Sequence, residues 1–307
     1  MKHSRIRQYY ERPAGFGGSF QEMLMEYRQI STKGAEKIGE GAHGEVYRIA
    51  EDTIVKVYRP TVSMEAIRRE KQLARWAFVK GLPTAISFDI VRVGELYGVV
   101  YEMLDAHSVS DYIKESDANF ERFVSKSVEL MNQIHAVEVM PGELSDMKEK
   151  TIGWIKKLEK YLPSDACDKL MKLTEKVPAS HTLLHADFHL KNILITGDEL
   201  MLIDMDTLCA GDPIFELATL YNSYMEFPSI SPMAAEFLGI DVETANRIWE
   251  RTIKLYTEYT GEDEKEITRK AQILGCIRIL DYADRQPELP DRDLIIKICT
   301  EDILKNL

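Results

Sequence analysis

An aspartate and an asparagine in the second half of the chain have the spacing that phosphoryl-transfer chemistry requires. Asn192 follows Asp187 by five residues, and the short apolar run 193–195 comes directly after it. An aspartate in such a loop can accept the proton of an attacking hydroxyl, and the asparagine can offer its amide oxygen to a magnesium ion. Asp187 is therefore the candidate catalytic base, and Asn192 is a candidate metal ligand.

A second carboxylate follows at the end of a predicted β-hairpin. Gly197 and Asp198 form a turn signal between the apolar runs 193–195 and 200–203, and Asp204 comes next. Such a pattern predicts two antiparallel strands, which place Asp204 beside the loop as a second metal-binding group. Each piece alone is commonly a turn or a cap, but their joint occurrence favours a site.

Earlier in the chain, a glycine-rich pattern lies between two stretches of alternating β-type residues. Gly39, Gly41, Gly44 and Val46 form GxGxxGxV, and glycines allow backbone N–H groups to approach phosphate oxygens. No helix follows, so the pattern does not indicate a dinucleotide fingerprint. A strand–loop–strand flap over ATP fits both flanks. The glycines within 15–18 lack a preceding strand, and they are better interpreted as a flexible lead-in to a short helical pattern over 19–30.

A lysine and a glutamate complete the candidate phosphate site. Lys56 lies in the middle of the predicted strand 53–58, where burial is costly unless the lysine meets an anion. It is the candidate for the α and β phosphates, although an edge-strand lysine in solvent is the alternative. A helix predicted from Ser63 to about residue 80 carries Glu70 on the border of its apolar stripe. Glu70 is favoured over Glu65 as the partner that orients the lysine.

These residues carry a family resemblance. The pattern His185-x-Asp187-x(4)-Asn192, followed by Ile203-Asp204, resembles the catalytic and metal-binding segments of the protein-kinase-like superfamily, most closely its aminoglycoside phosphotransferase and choline kinase branch. The resemblance covers about residues 35–285. It implies an α+β, bilobal protein-kinase-like fold, in which a small antiparallel sheet with one main helix precedes a larger, mostly helical lobe.

The resemblance also implies how the chain is divided. We expect an N-terminal extension (1–33), a nucleotide-binding N-lobe (34–104) with a hinge at 102–104, and a helical C-lobe (105–307) with the catalytic loop and the acceptor site. Backbone groups at about Glu102 and Leu104 would meet the adenine edge, and ATP and Mg²⁺ are the implied cofactors. Helical periodicity predicts the C-lobe helices at 118–135, 145–161, 164–176, from 212 onward, 232–238, 242–260, 264–285 and 291–304.

The segment after the second carboxylate indicates a small acceptor. Only the seven residues 205–211 separate Asp204 from the helix predicted at Asp212, too few to receive a peptide strand, and no Ala-Pro-Glu follows. His189 occupies a position where protein kinases usually carry lysine and where the antibiotic and choline kinase relatives often have histidine. The pattern Asp204-Met205-Asp206 resembles the same branch. Asp206 is a metal contact, a contact to a metal ligand or a turn former. The regular glycine loop, by contrast, is more like that of protein kinases.

Composition limits the partners. The chain has 307 residues, 45% of them hydrophobic, and a formal net charge of −12, which argues against nucleic acid. This charge leaves room for a cationic acceptor, although acidic surfaces mostly serve solubility. Glu226, Asp281 and Asp284 are candidates to meet an acceptor amine, or they belong to a solvated acidic face.

The sequence also carries no sign of a membrane or secretory segment. No apolar run approaches the roughly 18–20 residues that span a bilayer, and the N-terminus lacks the apolar part of a signal peptide, so we expect a cytoplasmic protein. The four cysteines are widely separated, without zinc-like spacing, and they are interpreted as free thiols.

The sequence therefore favours an ATP-dependent phosphotransferase that moves the γ-phosphate to a hydroxyl of a small molecule, such as an aminoglycoside, an amino alcohol or a sugar. One alternative is a nucleotide-binding regulatory protein with vestigial chemistry, and a protein kinase is a less favoured one. The joint presence of Lys56, Asp187, Asn192 and Asp204 speaks against the first alternative, because a protein that only binds nucleotide needs no base.

Overall fold

The structure is a computed structural model that describes residues 27–41 and 43–307. Most of the predicted N-terminal extension, including the early glycines and the greater part of the helical pattern over 19–30, lies outside the described residues. Ala42 of the glycine loop lies outside them as well.

The first part of the described chain is a six-stranded sheet in the order β1-β5-β6-β4-β3-β2. Its strands are β1 (Gln29–Ile30), β2 (Glu36–Glu40), β3 (Gly44–Ala50), β4 (Thr53–Tyr58), β5 (Ser87–Val93) and β6 (Leu96–Glu102). All neighbours are antiparallel except β1, which runs parallel to β5. The predicted helical pattern was wrong at Gln29–Ile30, because Ile30 packs against the buried valines of the sheet and so joins its edge.

A single long helix, α1 (Met64–Val79), packs on this sheet. It begins after Ser63, whose Oγ accepts a hydrogen bond from Ala66 N at 3.2 Å, and Gly81 follows its end with φ of +86°. A serine cap and a left-handed glycine are the usual signals for helix ends, and the predicted helix is confirmed. On β4, Val55 and Val57 face one side of the sheet, which leaves Lys56 on the side where α1 packs.

The second part is larger and mostly helical, so the predicted α+β, protein-kinase-like architecture is confirmed. Its helices are α2 (Val109–Glu115), α3 (Asp117–His135), α4 (Met147–Ile155), α5 (Ser164–Lys176), α6 (Ile214–Tyr221), α7 (Phe227–Ile230), α8 (Pro232–Phe237), α9 (Val242–Thr260), α10 (Glu264–Arg285) and α11 (Arg292–Asn306). A π-helical turn, Asn222–Glu226, connects α6 to α7.

Two helix predictions needed correction. The stretch 145–161 is not one helix, because α4 ends at Ile155 and a 3₁₀ turn, Leu158–Lys160, follows; this turn brings the buried Leu158 and Leu162 onto the core. Helix α6 was predicted to begin at Pro213, but it begins one residue later, at Ile214. The Asp212 carboxylate still accepts a hydrogen bond from Ile214 N at 3.0 Å, as expected of the predicted N-cap.

Short strands hold the catalytic segment in place. The predicted hairpin is confirmed as β9 (Ile193–Thr196) and β10 (Glu199–Leu202), with Gly197 in the turn at φ of +59°. The sequence did not predict β7 (His107–Ser108), which pairs with β9, or the pair formed by β8 (Leu183–Leu184) and β11 (Cys209–Ala210). Strand β7 ties the segment after the hinge to the catalytic hairpin.

None of the helices in the described part of the chain is long and apolar enough to cross a membrane. The four cysteines are buried and form no disulfide, so the prediction of free thiols is confirmed.

Candidate active site

Lys56 joins three elements of the fold. Its Nζ lies 2.8 Å from Glu70 Oε1 on α1 and 2.9 Å from Asp204 Oδ1 after β10. The predicted pairing with Glu70 is confirmed, whereas Glu65 is exposed. Burial lowers the pKa of Lys56, but the charges of Asp204 and Glu70 outweigh it and hold the pKa above its usual range. Lys56 therefore stays protonated at neutral pH.

The candidate base and the candidate metal ligand hold each other. Asn192 Nδ2 donates hydrogen bonds to Asp187 Oδ2 at 2.8 Å and to Asp187 O at 2.9 Å. His189 Nε2 lies 3.5 Å from the same carboxylate oxygen. Burial raises the pKa of Asp187, yet the hydrogen bond and charge of His189, with the charge of Arg278, outweigh burial and hold this pKa well below its usual range. Asp187 is therefore ionised at neutral pH.

A buried glutamate that the sequence analysis missed anchors the catalytic loop. Glu216 on α6 has no exposed surface, and its carboxylate accepts hydrogen bonds from His185 N at 2.6 Å and from Ala186 N at 2.9 Å. Ala186 has φ of +61°, a left-handed conformation that costs a non-glycine residue about 1–2 kcal/mol. The signal in the sequence was one charged residue inside the otherwise apolar run of α6.

Other contacts fix the rest of the loop. His185 is buried, its Nε2 lies 3.2 Å from Ile203 O, and its own carbonyl accepts a hydrogen bond from Thr207 Oγ1 at 2.7 Å. The hydroxyl of Tyr224 accepts a hydrogen bond from Leu190 N at 2.9 Å. His185 therefore supports the loop by packing and hydrogen bonding, as predicted.

The backbone brings the two candidate metal ligands together. Ile203 N donates to Asn192 O at 3.0 Å, so Asp204 follows a residue that is hydrogen-bonded to the loop. Asp204 has φ of +63°. The amide nitrogen of Asn192 makes both hydrogen bonds to Asp187, which leaves its side-chain oxygen for a cation.

Three carboxylates form an oxygen-rich cluster at this point. Ligand atoms of Glu70, Asp204 and Asp206 all lie within 4.8 Å of one another. Burial and the neighbouring charge of Asp204 raise the pKa of Asp206 to about 7, and His43 Nε2 of the glycine loop lies 3.9 Å from its carboxylate. Carboxylate and amide oxygens are the ligands that Mg²⁺ prefers, so this donor set fits the predicted ion.

The predicted glycine loop connects β2 to β3. Gly41 N donates to Gly44 O at 2.9 Å and closes the turn. A Cβ atom at Gly44 would lie 2.1 Å from Val57 O, whereas a Cβ atom at Gly41 would meet no atom of the described residues within 4 Å. Gly44 is therefore required by the close approach of β3 to β4, and Gly41 leaves open space over the turn.

The same strands align the loop with the lysine. Val46 on β3 pairs with Gly39 on one side and with Lys56 on the other. Gly39, at the start of the glycine loop, is therefore separated from Lys56 by the single strand β3. Phosphate binding by this loop stays a prediction.

The predicted hinge, 102–104, lies at the end of β6, whose last residue is Glu102. Glu102 N donates to Ile86 O and Met103 N donates to Asp52 O, each at 2.9 Å. These bonds fix the chain as it leaves the sheet. The contacts of Glu102 and Leu104 with an adenine ring stay predictions.

A cavity of about 670 Å³ opens beside the candidate base. Asp187, His189 and Asp206 are among its lining residues, together with residues of α4, α6, α7, α8, α10 and the π-helical turn. Its size is that of an ordinary small-molecule site.

The acidic residues predicted as candidates to meet an acceptor amine, Glu226, Asp281 and Asp284, are not among the lining residues of this cavity. Glu226 is buried beside Cys299, Asp281 accepts a hydrogen bond from Arg285 at 2.8 Å, and Asp284 accepts one from Tyr161 at 2.8 Å. All three carboxylates are engaged within the helical packing.

The fold and this arrangement of lysine, aspartates and asparagine define a protein-kinase-like phosphotransferase class. The chain belongs to the Phosphotransferase enzyme family, whose sequence profile matches residues 34–248. The predicted relationship to the aminoglycoside phosphotransferase and choline kinase branch is confirmed. No curated protein sequence matches the chain.

Solved structures share the fold at low sequence identity. The chain is similar to APH(2″)-IIa in complex with gentamicin, with a TM-score of 0.58, 15% identity, and coverage of 95% of this chain and 97% of that one. It is similar to an amicoumacin kinase in complex with AMP-PNP and Ca²⁺, with a TM-score of 0.57, 17% identity, and coverage of 99% and 96%. A choline/ethanolamine kinase family protein from Mesorhizobium loti gives a TM-score of 0.55, 14% identity, and coverage of 89% and 87%.

Proposed function

We propose that the protein transfers the γ-phosphoryl group of ATP to a hydroxyl of a small molecule. The observation that carries this proposal is the convergence of two hydrogen-bonded groups. Lys56 bridges Glu70 and Asp204, and Asp187 is hydrogen-bonded to Asn192, directly before the hairpin that leads to Asp204. The two structural relatives named for gentamicin and amicoumacin support a small acceptor.

In this proposal the N-lobe (34–104) holds the nucleotide and the C-lobe (105–307) holds the acceptor. The backbone of the glycine loop, from Gly39 to Val46, and the charge of Lys56 bind the phosphates. Glu70 orients Lys56 through the 2.8 Å bond. Backbone groups of the hinge at Glu102 and Leu104 bind the adenine edge.

Asn192 and Asp204 would hold Mg²⁺ through their side-chain oxygens, with Asp206 beside them. The bound ion supplies positive charge against the oxygens of the transferring phosphoryl group. The protein fixes the positions of the two side-chain oxygens, because Asn192 is hydrogen-bonded to Asp187 and Asp204 is hydrogen-bonded to Lys56.

Asp187 would accept a hydrogen bond from the acceptor hydroxyl and aim its oxygen at the γ-phosphorus. The new O–P bond forms as the bond from phosphorus to the β–γ bridging oxygen breaks, ADP leaves, and the hydroxyl proton passes to Asp187. Because the pKa of Asp187 is held low, it is a weak base that positions the hydroxyl and takes the proton late.

The test is magnesium-dependent transfer from ATP to pooled aminoglycosides, amino alcohols, sugars and nucleosides, with products read by mass. We expect one acceptor to gain one phosphoryl group, and Asp187→Asn to abolish this gain. Asp293→Asn is the matched control, because that side chain is fully exposed on α11. Binding of ATP without transfer to any acceptor, equal in all three proteins, would instead support a regulatory nucleotide-binding protein. Faster phosphorylation of a protein partner would support a protein kinase.

A further inference from the structure

The wall of the cavity beside Asp187 is cationic, in contrast to the acidic chain as a whole. Among the described residues that line it, Lys150, Arg278 and Arg285 carry positive charge. The carboxylates on the same wall are Asp187 and Asp206, which belong to the transfer site. Beyond the transfer site, the charged groups on the described wall are therefore all positive, and the rest of the lining is uncharged polar or apolar.

Two of these cations, Lys150 and Arg278, form no salt bridge with a carboxylate in the described part of the chain. Arg285 donates to Asp281 at 2.8 Å, so its charge is compensated. Arg278 has a buried Nη1 without a hydrogen-bond partner. Burial lowers the pKa of Lys150, the positive charge of Arg278 lowers it further, and no carboxylate is among the groups that act on it. Arg278 acts on the Asp187 carboxylate through charge alone, and neither Arg278 nor Lys150 is hydrogen-bonded to a carboxylate among the described residues. Burying such cations is costly unless an anion meets them.

Their position assigns these cations to the acceptor and not to the nucleotide. Lys56 already supplies the charge for the phosphates from the sheet of the N-lobe. Lys150 lies on α4 and Arg278 on α10, the helices that also bring Trp154 and Tyr282 to the cavity wall. Aromatic and aliphatic side chains beside fixed charges are typical of a small-molecule pocket.

We propose that the acceptor is an alcohol that carries an anionic group, a carboxylate or a phosphate, and that Lys150 and Arg278 bind this group. The proposal rests on the proposed phosphotransferase function and names the class of its acceptor. An arginine fork matches two oxygens of a carboxylate or phosphate, and a lysine adds a point charge. A polycationic acceptor would face like charges, because the carboxylates among the described lining residues, Asp187 and Asp206, belong to the transfer site. The sequence-based allowance for a cationic acceptor therefore does not carry over to this cavity.

The test compares four sets of alcohols as acceptors with ATP and Mg²⁺: hydroxycarboxylates, their uncharged methyl esters, sugar monophosphates and aminoglycosides. Wild type is compared with Lys150→Gln and Arg278→Gln. Lys172→Gln, on the exposed surface of α5, is the control for loss of one positive charge. Saturation-transfer NMR measures binding of each set independently of turnover, and thermal unfolding verifies that each variant is folded.

We expect transfer to members of one anionic set, and the set that reacts distinguishes carboxylate from phosphate. Loss of either cation should raise the KM for that acceptor roughly 10- to 100-fold, as expected for a charge-assisted hydrogen bond, with little change in kcat. If the reactive set is the hydroxycarboxylates, the methyl ester should be a poor acceptor for wild type and should lose nothing further in the variants. Arg278→Lys should recover part of the loss, and Lys172→Gln should match wild type.

The outcomes separate this inference from the function on which it rests. Anions that bind wild type but not Arg278→Gln, without transfer from ATP, would support the anion site and contradict the phosphotransferase. Transfer to esters or aminoglycosides that ignores both substitutions would support the phosphotransferase and overturn the anion site. A loss of kcat for every acceptor at constant KM would place Arg278 on the transferring phosphoryl group and would overturn the anion site. The anion site would also be overturned if no anionic set binds to wild type.

Discussion

Replacing Glu216 with glutamine is expected to destabilise the catalytic loop with little change in side-chain volume. Each oxygen of the carboxylate accepts a backbone hydrogen bond, one from His185 N at 2.6 Å and the other from Ala186 N at 2.9 Å, and Thr219 Oγ1 adds a longer one at 3.4 Å. A carboxamide has one oxygen, so its NH₂ group would face one of these N–H donors. Because Glu216 has no exposed surface, water cannot replace the lost acceptor.

The magnitude follows from these contacts. A hydrogen bond to a charged group contributes roughly 1.5–3 kcal/mol, and a buried donor left without an acceptor costs about 1–3 kcal/mol. Burial raises the pKa of Glu216, but His135 and His185 outweigh burial and lower it, so the native group is a carboxylate. We expect Glu216→Gln to lower the free energy of unfolding by about 2–4 kcal/mol. The left-handed Ala186 would then lose part of its support, and kcat should fall as the loop relaxes.

Urea unfolding followed by circular dichroism measures the stability change, and steady-state transfer measures kcat. Glu129→Gln is the matched control, since Glu129 is exposed on α3, and it should lie within about 0.5 kcal/mol of wild type. A Glu216→Gln protein that matches wild type in both stability and kcat would refute the assignment of Glu216 as the anchor of the loop.

Three further substitutions probe separate features. Gly44→Ala should lower the free energy of unfolding by several kcal/mol, roughly the cost of overpacking, because its Cβ would lie 2.1 Å from Val57 O. Gly41→Ala is the control and should be near neutral, because its Cβ would meet no atom of the described residues within 4 Å. Equal melting temperatures of the two variants would contradict the packing argument. Lys56→Met should reduce turnover at saturating ATP roughly 10²- to 10³-fold, the cost of one lost electrostatic contact, and a wild-type rate would remove Lys56 from the site. Burial and a neighbouring carboxyl raise the pKa of Glu226 from 4.5 to about 7, so the folded protein retains a proton that the unfolded chain releases, and stability falls as pH rises through that window. Glu226→Gln removes this loss. Measured by urea unfolding, the free energy of unfolding of the variant relative to that of wild type should rise by roughly 1–3 kcal/mol from pH 4 to pH 8. A difference between the two proteins that does not change with pH would contradict this assignment.

Local signals in the sequence were sufficient for the pieces of the fold and site that depend on neighbouring residues. Ser63 and Gly81 mark the ends of α1, and the turn at Gly197 marks the hairpin. The spacing of Asp187 and Asn192 identified a loop whose two side chains are hydrogen-bonded. These features follow from caps, turns and periodicity, which act over a few residues.

Features that arise from distant parts of the chain could not be read in this way. Strand β1 forms because Ile30 packs on the sheet, against its local helical pattern. Glu216 anchors a loop that lies about 30 residues earlier in the chain. Lys150 and Arg278 lie on the wall of the same cavity only because α4 and α10 both line it. The net charge of −12 describes the whole surface, whereas the sign of the cavity depends on which few side chains face it.

The proposed phosphotransferase function is tested most directly by transfer of the γ-phosphoryl group of labelled ATP to the pooled aminoglycosides, amino alcohols, sugars and nucleosides. Transfer is measured side by side for wild type and Asp187→Asn. We expect label on a small molecule with wild type and Mg²⁺, and a rate lower by at least about 10²-fold in the variant, while both proteins bind ATP equally. Equal transfer by both proteins, or ATP binding by both with no labelled product, would contradict the account.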